Sequence, residues 1–296
     1  MVQPHNIAVV TDSSSCLPKD LEEDVDLYIV PHELVIEGAS YRDGIDINPS
    51  QFYSLQSKQN QTCTTSAPKP GLFLDAFKQA YLTSDSVICL TLSSNFSATY
   101  ESAQQAVALA KQQLPNLQIR LIDSQAAAGA EGLIVLEALR QAKLTTSVEA
   151  VCSKIDELIP KVNLIAFVDS LYYLAKSGRI PKISAWAGSL LNIKPLTEMT
   201  LGQTRLLAKP RTREKATDRL IEIMKDRVGT NTVCVNIMQA QAFRDAAKLK
   251  IRIGLEFNCH EIFVSEFTPV MGAHTGPGVL GVAFYQKTIT APTSTQ

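Results

Sequence analysis

The sequence has almost no net charge: 28 lysines and arginines against 29 aspartates and glutamates leave a formal −1. That excludes the basic field a nucleic-acid backbone requires, so nucleic acid is not an expected partner. Long apolar runs are also missing, and none approaches the roughly 20 residues of a membrane-spanning helix. The opening stretch MVQPHNIAVVTDSS has no basic segment followed by an apolar core, so the expectation is a cytoplasmic protein without integral membrane association. The six cysteines (Cys16, Cys63, Cys89, Cys152, Cys234, Cys259) include no C-x-x-C pair. They read as reduced, mostly buried thiols with no zinc site and no disulfide framework. H-E-x-x-H, Walker, EF-hand and G-x-S-x-G signatures are absent as well, so neither metal nor cofactor is expected. Gly276-Pro277-Gly278-Val279-Leu280-Gly281 formally matches G-x-G-x-x-G, but a strand pattern follows it and only 15 residues remain, too few for a dinucleotide-binding unit.

What is present is apolar bulk. Apolar residues make up 45% of 296, enough for a large interior, and the length favours two domains over one. In the first half, β-rich runs at Ile7–Thr11, Leu27–Ile36, Val87–Leu92 and Ile119–Ile122 alternate with helical patterns. Those patterns fall at Pro49–Lys58, Gly71–Leu82, Ala98–Gln113 and Glu131–Lys143. Such alternation predicts a mainly parallel sheet covered by helices. A helix at Val148–Leu158 and then Pro160 mark a boundary. Beyond it the order changes: a strand at Leu164–Val168, helical patterns at Leu171–Ser177 and Ile183–Leu191, and a hairpin of Lys194–Met199 with Thr204–Pro210. Helices at Glu214–Val228 and Ala242–Leu255 then alternate with strands at Thr232–Met238, Glu261–Phe267 and Val279–Tyr285. The fold class is therefore α/β in two domains. Residues 1–160 form an N-terminal α/β domain, 161–287 a C-terminal α+β domain with a mixed or antiparallel sheet, and 288–296 a disordered tail.

The first-half strands end in short polar side chains: Thr11-Asp12-Ser13-Ser14, Ser93-Ser94 and Asp123-Ser124. In a parallel sheet these ends share one edge, where ligands of such sheets sit. The stretch LSSNFSATYESA, Leu92–Ala103, is the densest case, with the closely spaced hydroxyls of Ser93, Ser94, Ser97, Thr99 and Tyr100 between a strand and a helix. One hydroxyl can cap the helix, the commoner use; the remainder suit a bound anion. In the second half Arg179 offers a planar fork for a carboxylate, and His274 lies in a glycine-rich turn, whereas His5, His32 and His260 have no such setting. Ser97, Asp123 and His274 could also meet as a triad, which keeps a small-molecule hydrolase or transferase open as an alternative.

Taken in order, these pieces resemble one family. Val10-Thr11-Asp12-Ser13-Ser14, Tyr41-Arg42-Asp43-Gly44, Thr64-Thr65-Ser66-Ala67-Pro68, Ser94 to Ala103, Asp123-Ser124, Leu174 to Ile180 and His274 to Gly278 are similar to the DegV family of bacterial fatty-acid-binding proteins. The resemblance implies a long-chain fatty acid held between the domains by a protein that catalyses nothing. By the same resemblance the carrier is expected to present the carboxylate to a soluble fatty acid kinase, and it is expected to be a monomer. By matching position, Thr65 and Ser97 look like the hydroxyls that bond the carboxylate, with Ser66 and Thr99 beside them and Arg179 and His274 as outer polar groups. The basic strip holding Lys209, Arg211 and Arg213 is the expected kinase contact. Ala67, Lys69, Phe96 and Ala98 depart from the usual pattern, which bears on chain-length preference.

Overall fold

The computed structural model describes residues 7–22, 24, 26–56, 63–179 and 193–287. Its first sheet joins β1 (Ile7–Asp12), β2 (Leu27–Val30), β6 (Ser86–Thr91) and β7 (Gln118–Asp123) in the order β2-β1-β6-β7, every pair parallel. Every residue of β1 and β6 is buried, as a parallel sheet covered on both faces requires. Helices α3 (Pro70–Ala80) and α4 (Thr99–Gln113) cover one face, where Phe73 and Phe77 pack with Ala103, Ala106 and Ala110. The other face meets α5 (Ala128–Leu144) and α6 (Val148–Leu158).

The second sheet runs β10-β9-β8-β13-β11-β12, from β8 (Asn163–Phe167), β9 (Leu196–Thr200), β10 (Gln203–Ala208), β11 (Val233–Gln239), β12 (Cys259–Glu266) and β13 (Leu280–Gln286). It is mixed: only β11 and β12 pair in parallel. Helices α8 (Arg213–Val228) and α9 (Phe243–Glu256) close its outer face through Leu220, Met224, Leu249 and Ile253. Its inner face packs on α5, which therefore touches both sheets. Gly129 lets α5 approach β11, because a Cβ there would collide with Asn236 and Met238. A single central core thus draws Leu133 and Ile134 from one half and Cys234, Met238 and Ala283 from the other.

A third, antiparallel sheet, β4-β3-β5, consists of β3 (Glu33–Ile36), β4 (Ala39–Arg42) and β5 (Cys63–Ser66). The predicted run Leu27–Ile36 is therefore two strands in two sheets. They are divided at Pro31-His32, where proline has no N–H to continue a ladder. Shorter helices are α1 (Lys19–Glu22), α2 (Pro49–Gln56), α7 (Tyr172–Ser177) and α10 (Pro269–Thr275).

The predicted hairpin forms β9 and β10 around the two-residue turn Leu201-Gly202, both at positive φ, the twist a tight hairpin needs. Its tip leans on the first sheet: Gly202 donates its N–H to the Gln125 carbonyl at 2.7 Å, and a side chain there would strike Ser93 and Asn95. The predicted helix Ile183–Leu191 and the tail Thr288–Gln296 lie outside the described residues. All six cysteines are free thiols, four of them buried, with Cys63 and Cys259 half-buried. Among the described residues no helix is long and apolar enough to cross a membrane.

Candidate functional site

Ser93, Ser94, Ser97, Thr99 and Ser102 after β6 are hydrogen-bonded, and none of them caps α4. The residue before α4 is Ala98, and no side chain caps its first turn. Ser94 donates to Asp123 at 2.5 Å, Ser93 Oγ accepts from the Asn95 N–H, and Ser102 donates to the Pro68 carbonyl. Ser97 and Thr99 share a hydrogen bond of 2.7 Å. These bonds fix the turn so that Ser97 faces a pocket at the strand ends.

That pocket is a cavity of about 90 Å³ at the strand ends. Leu92, Phe96, Leu174, Met199, Val270 and Met271 give it apolar walls. Thr65, Ser66, Ser97, Arg179 and His274 supply polar groups, contributed by β5, the turn before α4, the end of α7, and α10. Thr65 Oγ1 lies 2.8 Å from His274 Nε2. Burial, with the positive charges of Arg179 and His32 nearby, pushes the His274 pKa down to about 4, so the ring is neutral at pH 7. Arg179 is exposed and braces itself by donating from Nη1 to the Ser177 carbonyl at 2.9 Å.

Beneath the pocket lies a buried set of ionisable groups. Asp12, at the end of β1, accepts from Ser14 N at 3.0 Å, Ser14 Oγ at 2.6 Å and the Leu92 N–H at 2.8 Å, and it faces His32 Nε2 at 3.0 Å. Burial alone would raise its pKa, but the His32 charge and these donors outweigh burial and hold it below the usual carboxylate value. Asp43 accepts from Ser13 Oγ at 2.6 Å and from Val270 N at 3.3 Å, and burial pushes its pKa up to about 6. Glu131, from α5, lies 2.8 Å from Ser14 Oγ, with its pKa raised by burial and by the Asp12 charge. Ser14 Oγ thus stands between Asp12 and Glu131, within hydrogen-bond distance of both. Among the described residues no group of acidic, histidine or cysteine side chains is placed to hold a metal.

Five of the six predicted pocket residues thus line one cavity. Thr99 is the exception, buried behind Ser97 and outside the lining. In the basic strip Lys209 and Arg211 are exposed. Arg213 is instead held by Asp169, Asp245 and the Gly278 carbonyl, each at 2.7 Å. The alternative triad is not assembled: Asp123 is bonded to Ser94, His274 to Thr65, and Ser97 to Thr99. His32 and Asp43 went unread as site residues. The expectation that His32 lacks a special setting is corrected, because its ring is buried in the pocket floor against Asp12. Its partners are distant in sequence, and nothing local signals them.

Fold and pocket together define an α/β protein with an amphipathic pocket at its strand ends. The model of the DegV family, described as an uncharacterised protein family, matches residues 6–287. The chain belongs to the DegV family. A DegV domain-containing protein of Caldanaerobacter subterraneus subsp. tengcongensis is 32% identical over 284 residues, covering 95% of this chain and 99% of that protein. A Thermus thermophilus DegV family protein, whose structure is described as fatty acid binding, superposes with a TM-score of 0.87 at 29% identity, over 95% of this chain and 100% of its own. A stearic acid-binding protein of Eubacterium ventriosum does so at 0.88 and 26%, over 95% and 98%.

Proposed function

We propose that this chain binds a long-chain fatty acid in the pocket, its carboxylate among Thr65, Ser66, Ser97, Arg179 and His274 and its tail along the apolar wall. The observation that carries the reading is that hydroxyls, a neutral imidazole and an arginine converge on a cavity whose walls include Leu, Phe, Met and Val side chains. Each buried CH₂ contributes about 0.8 kcal/mol, so a tail of about 15 methylenes offers roughly 12 kcal/mol before association costs. The head group needs partners because an unpaired buried carboxylate costs several kcal/mol. The fatty-acid-binding relatives named above support the same ligand class.

In this reading the chain is a non-catalytic, cytoplasmic, monomeric carrier of two domains, residues 1–160 and 161–287, with the ligand between them. It presents the carboxylate to a soluble fatty acid kinase, which meets it through Lys209 and Arg211. Thr99 orients Ser97 from behind. Extraction of the purified protein with organic solvent, followed by mass spectrometry, tests the reading. Recovery of about one long-chain acid per chain is the expected result, and a lipid-free extract from protein that also fails to take up added acid would reject it.

A further inference from the structure

His32 occupies the corner between β2 and β3, only 2% exposed, in the floor of the pocket. Both of its ring nitrogens face acceptors: Nε2 is 3.0 Å from Asp12 Oδ1, and Nδ1 is 3.3 Å from the Ser66 carbonyl. A neutral imidazole carries one N–H and can satisfy one of them; an imidazolium satisfies both. We propose that His32 is held as an imidazolium and acts as a positioning residue for the bound carboxylate, fixing the Thr65-Ser66 strand and cancelling negative charge beneath the pocket. The inference rests on the carboxylate-binding reading above.

The charges around it make the case. Asp12 faces His32 from β1 and Asp43 from the turn after β4; Glu131 of α5 stands beyond Asp12, while His274 of α10 and Arg179 lie on the pocket side. Burial works against a charge on His32, but the Asp12 and Asp43 carboxylates prevail and set its pKa above the usual histidine value. Asp12 and Asp43 lie beneath the site, and His32 supplies a buried positive charge that offsets them. Without it an arriving carboxylate meets two uncompensated negative charges. The cluster also reaches the second half of the chain, because Asp43 accepts from the Val270 N–H on α10, the helix that carries His274.

The first test needs no ligand. Long-range ¹H–¹⁵N NMR of the wild-type protein at neutral pH should show both His32 nitrogens protonated, beside a His274 ring with one protonated and one bare nitrogen. A neutral tautomer at His32 would overturn the proposal. In the second test delipidated protein is titrated with hexadecanoic acid. His32→Leu, which preserves apolar bulk, should bind about tenfold more weakly, and adding Asp43→Asn should restore much of the loss by removing a repelling charge. Equal affinity in wild type and His32→Leu would overturn the role. If wild type itself binds no fatty acid, the carboxylate reading fails, and the NMR measurement still decides the charge on His32.

Discussion

Thr65 and His274 stand 209 positions apart in sequence, yet the Thr65 hydroxyl lies 2.8 Å from His274 Nε2. One comes from an edge strand of the small antiparallel sheet and the other from a seven-residue helix after β12, so the pair spans both halves of the chain. Its geometry brings a hydroxyl and a neutral ring to the same end of an apolar pocket. Thr65→Val keeps the shape and removes the bond. It should weaken fatty-acid affinity by about tenfold with little change in melting temperature, as for one polar contact to a charged group. Parallel titration and thermal melts check this; an unchanged affinity would remove Thr65 from the site.

Ser97→Ala addresses the second hydroxyl. A loss of about fivefold in affinity is expected. The melting temperature should stay near that of wild type, because Ser97 is only half-buried and its hydroxyl is bonded to the neighbouring Thr99. Full retention of ligand by the variant would show that the serine serves only the turn.

Ligand binding should take up protons in mildly acidic solution. In the free protein the His274 pKa is about 4, held down by burial and by the nearby positive charges. A carboxylate placed beside the ring favours the imidazolium and raises that value. Bound protein therefore holds more proton than free protein between the two values, and affinity rises as pH falls through that window. Calorimetry near pH 5.5 in two buffers of different ionisation enthalpy measures the uptake. His274→Gln should abolish the His274 share of it.

Glu131 should cost stability at neutral pH. Its folded pKa is raised, chiefly by burial, so the folded state binds the proton more tightly than the unfolded state does. Stability is thus lost as pH climbs above the unfolded value and is regained on acidification. Glu131→Gln should melt a few degrees higher than wild type at pH 8, with the gain shrinking toward pH 5. A variant less stable than wild type at every pH would mean that the carboxyl group, rather than its neutral form, is required.

Gly202 joins the hairpin tip to the first sheet. It sits at φ 67° and has Ser93 and Asn95 where a side chain would project. Gly202→Val should destabilise the protein by about 2 kcal/mol or more, read as a lower midpoint in urea, and should loosen the turn that carries Ser97.

Elements whose periodicity was unbroken could be read from sequence. Val148, Val151, Cys152, Ile155 and Leu158 recur at helical spacing, and α6 has the predicted bounds. The buried runs of β1 and β6 were equally plain. Three features were hidden for physical reasons. The corner at Pro31-His32 lies inside a continuous apolar run, so periodicity cannot show that β2 and β3 join different sheets. β5 is the polar edge strand Cys63–Ser66, which reads as a loop until its pairing with β3 is known. α10 is short and holds Gly272, so it reads as a turn. Within the site, the hydroxyls, Arg179 and His274 were legible because they cluster in short motifs. His32 was not, because only the fold brings Asp12 and Ser66 to its two nitrogens.

The most direct measurement compares hexadecanoic acid with its methyl ester in calorimetric titrations of the delipidated protein. The tail is the same in both, so any difference reports the polar end of the pocket. Saturable one-to-one binding of the acid, with the ester weaker by about tenfold or more, is the expected result. Equal affinity for the two, or no binding of either, would contradict a pocket built to hold a carboxylate.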